Sequence, residues 1–72
     1  MDKETCNLEI QNYTSLKGAK LTHFSGGHSI RILQLFCRET KNNNYFISVL
    51  IRHILTGNEE ETSIDFINTH YS

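Results

Sequence analysis

Two apolar arms either side of an asparagine run constrain this chain more than any other feature. The first is Ser29-Ile-Arg-Ile-Leu-Gln-Leu-Phe-Cys-Arg-Glu39 and the second Tyr45-Phe-Ile-Ser-Val-Leu-Ile-Arg-His-Ile-Leu55, joined by Thr40-Lys-Asn-Asn-Asn44. Ile, Val, Phe and Tyr suit a pleated, half-buried surface, and asparagine tolerates the left-handed backbone that a reversal needs. The stretch 29–55 therefore reads as a β-hairpin around which the rest of the chain is organised. Short apolar runs also admit a helix: Asn44 can cap one over 45–55, where Phe46, Val49, Leu50 and Ile54 fit helical spacing. The β-branched content favours the strand.

Side-chain direction in the hairpin decides what can form a site. Pairing Thr40 with Tyr45 across a four-residue loop sets Phe36 opposite Val49 and Ile32 opposite His53. One face then carries Ile30, Ile32, Gln34, Phe36, Tyr45, Ile47, Val49, Ile51, His53 and Leu55. The other carries Arg31, Leu33, Leu35, Cys37, Glu39, Phe46, Ser48, Leu50, Arg52 and Ile54. The first is the more apolar and is expected to be the core; a change of loop length would shift the pairing.

Alternation of Cys6, Leu8 and Ile10 with polar neighbours predicts a strand over about 5–13, after frayed residues 1–4. A reversal near Gly18 and a short strand over 20–24 follow, and Ser25-Gly26-Gly27 makes the strongest break. Beyond Thr56-Gly57, Asn58 followed by Glu59, Glu60 and Glu61 reads as a helix N-cap with carboxylates in the first turn. This predicts a helix over 59–70 with Ile64, Ile67 and Tyr71 on one side. The fold class is α+β: a small antiparallel meander of about four strands with one C-terminal helix, in a single small domain.

A chain of 72 residues buries only about 60% of the surface its unfolded form exposes, so a partner or second copy would add to a slender core. Hydrophobic residues at 38%, charged residues at 21% and a net charge of −1 fit a globular domain and argue against a disordered chain or a basic nucleic-acid arm. The segment Met1-Asp-Lys-Glu-Thr-Cys6 has no apolar run, and no stretch approaches bilayer-spanning length. A cytoplasmic location is expected, which includes that of a host cell. With only two cysteines, Cys6 and Cys37, both are expected to be reduced thiols.

No constellation carries recognisable chemistry. Cys6, His23, His28 and Cys37 hold the right atoms for zinc but lack the close ligand pairs of structural sites. Cys37 and His53 would make a nucleophile and base, yet they project to opposite faces in the register above. Consecutive carboxylates Glu59–Glu61 diverge on a helix and cannot converge as calcium ligands do. Ser25-Gly26-Gly27-His28 lacks the lysine and following helix of a phosphate loop. Lys17, Lys20, Arg31, Arg38 and Arg52, with Tyr13 and Phe24, supply the residue types of a nucleic-acid surface, but the arginines do not share one face. Neither catalytic residues, cofactor nor metal is therefore expected.

The second hairpin face is the unusual feature, because one helix covers only one side of a sheet and monomeric domains seldom leave a large apolar patch in water. Arg31, Leu33, Leu35, Phe46, Leu50 and Arg52 are the expected partner-binding residues, facing a larger protein target or a second copy. The function this suggests is a non-enzymatic inhibitor or regulator, of the kind a phage or mobile element encodes, that blocks a surface of a larger protein. A small transcriptional regulator, acting on DNA directly or through a DNA-binding protein, is the alternative; a membrane is not expected as a partner.

Overall fold

A computed structural model describes residues 1–72. The element order is α1 (Lys3–Glu9), a 3-10 segment (Ile10–Leu16), β1 (Lys20–Thr22), β2 (Ser29–Glu39), β3 (Tyr45–His53), β4 (Glu59–Ser63) and α2 (Ile64–His70). The four strands form one antiparallel sheet in the order β1-β2-β3-β4. This is the expected α+β meander with a C-terminal helix, with an N-terminal helix added. The 45–55 arm is strand through His53, and Ile54 and Leu55 lie in the turn beyond it.

The central hairpin departs from the expected register in two places. Glu39, not Thr40, pairs with Tyr45, so five residues form the loop, and Asn43 takes the left-handed conformation at φ 57°. An irregularity between Ile32 and Gln34 then inserts one extra residue, Leu33, into β2. A β-bulge sets two residues against one and reverses the inward-outward phase of everything beyond it. Before the bulge Ile32 opposes Ile51 and Ile30 opposes His53, two residues from the expected Ile32–His53 pairing but on the expected face; after it Leu35, not Phe36, pairs with Val49, and Phe36 pairs with Ser48. Leu35 and Cys37 therefore join the core side, while Gln34 and Phe36, expected in the core, move to the other face.

Both termini of the sequence reading need correction. The predicted strand over 5–13 is helical because Asp2 caps α1, its carboxylate accepting from the Thr5 amide at 2.7 Å. Cys6 and Ile10 are one helical turn apart as well as in period two, and the outcome separates the two patterns: Cys6 is buried, whereas Leu8 is 63% exposed. The segment expected to fray contains this cap, and the Tyr45 amide donates to the Met1 carbonyl at 2.6 Å. At the other end Asn58 caps no helix. Glu59–Ser63 is an edge strand whose carboxylates reach partners on the sheet, and the cap is Ser63, whose hydroxyl accepts from the Phe66 amide at 3.1 Å.

All helical segments lie on one side of the sheet. Ile30, Ile32, Val49 and Ile51 pack against Ile67 and Tyr71. A second cluster joins Cys6, Ile47 and Ile64, with Ile10, Tyr13 and Cys37 against it, and Leu16 and Leu35 touch both clusters. Removing these aliphatic groups from water supplies most of the fold's favourable free energy. No helix is long and apolar enough to cross a membrane.

Candidate functional site: the uncovered face of the sheet

Cross-strand partners share a face, so the pairing defines the side that no helix covers. In successive rows it carries Lys20, Arg31, Arg52 and Glu59; then Gln34, Leu50 and Glu61; then Phe36, Ser48 and Ser63; then Arg38 and Phe46. Leu33, the inserted residue, stands with Gln34 opposite Leu50. Of the six residues expected to bind a partner, Arg31, Leu33, Phe46, Leu50 and Arg52 lie here. Leu35 does not, because the bulge has turned it into the core. Phe36 and Arg38 take up the space, and neither is assigned to this face by strict alternation.

Ion pairs knit the face across its strands. Arg38 donates from Nε and Nη2 to the two carboxylate oxygens of Glu61 at 2.8 and 2.7 Å, and its guanidinium carbon sits 4.4 Å from the centroid of the Phe36 ring. Ser48 donates to Glu61 Oε2 at 2.7 Å. These bonds, the Arg38 fork first, hold the Glu61 carboxyl down at about 2, since donors to the ionised form favour it. Arg52 donates to Glu59 at 3.0 and 2.5 Å. Arg31 donates to the Gly18 carbonyl at 2.7 Å. Phe46 remains 37% exposed. A single-helix reading of Glu59–Glu61 hid these partnerships, whose other halves lie in different strands.

The remaining candidates separate to the two ends of the core side. The bulge puts Cys37 on the same side of the sheet as His53, not on the opposite face as expected, but Cys37 pairs with Ile47 near the 40–44 turn and His53 with Ile30 at the far end of the hairpin, so they form no dyad. Cys6 is brought beside Cys37, both as free thiols. Burial first, and the Cys37 thiol second, push the Cys6 thiol up to about 11. His23 and His28 lie at the opposite end, so the four residues considered for zinc divide into two distant pairs.

That end gathers all four histidines of the chain. Ring centroids lie 5.2 Å apart for His23 and His28, 5.8 Å for His23 and His70, and 5.9 Å for His28 and His53. The Tyr71 hydroxyl and His28 Nε2 are 2.8 Å apart, and His53 Nε2 is 3.2 Å from Glu60 Oε1. The Ser25 amide donates to His23 Nδ1 at 3.1 Å, which leaves the proton of the neutral ring on Nε2. Spacing along the sequence shows nothing of this cluster, because the rings come from separate loops, strands and the last helix. Phe24 and Leu55, 63% and 87% exposed, stand on the two loops at this end. No group of three or more His, Cys, Asp or Glu side chains is arranged to hold a metal ion.

No protein-family model, curated protein or solved structure matches this chain.

Proposed function

We propose that the protein is a non-enzymatic binding module, an inhibitor or regulator that docks the uncovered sheet face on a larger protein. The observation that carries this reading is the one-sided covering of the sheet. Both helices and the 3-10 segment pack on the Ile30–Ile51 side, and Leu33, Phe36, Phe46 and Leu50 are left on the other among charged side chains. A central apolar cluster with arginines at its margin is the composition of an energetic contact centre, since apolar burial supplies affinity and guanidinium groups supply direction.

The experiment is a comparison of Leu50→Glu with Lys41→Glu, which lies in the 40–44 turn. Wild-type protein immobilised on a support should retain a defined target from the native host; Leu50→Glu should lose it, and Lys41→Glu should keep it. Equal retention by both variants, with folding intact, would contradict the reading.

A second reading, a small nucleic-acid-binding regulator, is favoured by one finding. The bulge brings Lys20, Arg31, Arg38 and Arg52 onto a single face with the exposed ring of Phe46, and phosphate neutralisation and base stacking need those residue types together. Salt-sensitive retention of the protein on single- or double-stranded DNA, lost in Arg31→Glu, would support it.

A further inference from the structure

Three cations stand side by side at one end of the uncovered face. Lys20 on β1 pairs with Arg31 on β2, Arg31 pairs with Arg52 on β3, and the row ends at Glu59 on β4. Like charges at directly opposed strand positions destabilise a sheet. Only part of this charge is met within the chain. Arg52 is paired with Glu59; Arg31 has a neutral carbonyl as its acceptor; Lys20 has no carboxylate partner. In the adjoining row Leu33 and Leu50 stand with Gln34 and Glu61, whose carboxylate is already taken up by Arg38 and Ser48.

Resting on the docking role proposed above, we infer that the partner is an acidic protein segment whose carboxylates meet the Lys20–Arg31–Arg52 row while its apolar side chains settle on Leu33 and Leu50. Charge complementarity selects this occupant over two others. A second copy packed face to face would bring a further identical cation row into the same interface. A nucleic-acid strand needs open aromatic faces for stacking, but of the two rings on this face Phe36 is already covered by Arg38, whose guanidinium is forked to Glu61, which leaves Phe46 alone. The chain as a whole also carries a net charge of −1, so phosphate attraction depends on this row alone.

The test uses fluorescence anisotropy with three labelled probes of equal length: a peptide of repeating Glu-Glu-Leu, its Lys-Lys-Leu counterpart, and oligothymidylate. The full chain should bind the acidic peptide, with affinity falling as salt rises. Lys20→Glu and Arg31→Glu should each weaken it about tenfold or more, and Lys41→Glu, in the 40–44 turn, should leave it unchanged. Circular dichroism of each variant establishes that the fold persists. Binding of the acidic peptide no tighter than the basic one, indifference to Lys20→Glu and Arg31→Glu, or tighter binding of oligothymidylate each overturns the inference. Retention of the native target gives the separation from the parent proposal. A target lost with Leu50→Glu but held by Lys20→Glu and Arg31→Glu leaves the docking face standing and removes the acidic partner; a target held by all three removes both.

Discussion

Ser63 and Asn58 show how little separates a cap from a bystander. Both are short polar side chains ahead of an apolar stretch, but only the Ser63 hydroxyl accepts a helix amide. Ser63→Ala should cost about 1 kcal/mol in denaturant unfolding, whereas Asn58→Ala should shift the midpoint far less; the reverse ranking would restore a helix beginning at 59. The two thiols differ in the same way. Cys6 is fully buried and its thiol is raised to about 11, so it should resist alkylation at pH 8 in the folded protein, while half-buried Cys37 reacts first. Mass spectrometry after a short iodoacetamide pulse reads the order. A raised thiol pKa favours the fold fully below the unfolded value of 9.0, and that contribution is lost as pH rises from there towards 11. Cys37→Ser is expected to fold with a modest loss of stability and retain binding, as suits a packing residue.

The bulge in β2 is the element-scale feature on which the candidate site depends. Its extra residue lets one strand keep Ile30 and Ile32 in the core at one end and Leu35 and Cys37 at the other. Leu35 is half-buried against both core clusters, so Leu35→Glu should lower stability by roughly a few kcal/mol, since a charge set against apolar groups is poorly solvated, and Leu33→Glu should leave a cooperative melting transition near that of the wild type. Comparable losses from the two would mean that the phase does not change at Leu33. β4 illustrates the other rule of sheets, that exposed edges are blunted by charge. Its glutamates bridge inward to Arg52, His53 and Arg38, and the opposite edge, on β1, is closed by two bonds between Thr22 and Ser72, at 2.9 and 3.1 Å. Glu61 ties β4 to β2 across β3. Because its carboxyl is held near 2 against an ordinary 4.5, its contribution is present above about pH 4.5 and lost as pH falls towards 2. Glu61→Gln should flatten the melting temperature across that acid window; an unaltered profile would contradict the bridge.

On the scale of the whole molecule, a sheet covered on one side explains how a chain of 72 residues can bury a core and still leave a whole face of the sheet uncovered. Leu50→Glu should then leave far-ultraviolet circular dichroism and the thermal midpoint close to wild type, because the substituted side chain stands on the face opposite Val49 and Ile51. Outright unfolding would make that face part of the core. The sequence by itself determined the hairpin arms, the asparagine turn, the glycine break and the buried alternation of Ile47, Val49 and Ile51, since β-branched periodicity and turn chemistry act within a few residues and need no distant partner. It also determined the α+β class, which follows from those elements and one apolar C-terminal stripe. Tertiary structure alone decided the rest. Cys6 and Ile10 satisfy helix and strand periods equally until the sheet offers Ile47 to bury them. Glu59–Glu61 suits a helix start as well as an edge strand until Arg38 and Arg52 stand opposite. The phase of β2 turns on one inserted leucine that alternation cannot reveal. In each case the local pattern fits two conformations, and the contacts that separate them join residues far apart in the chain, so their free energy exists only once the sheet has formed.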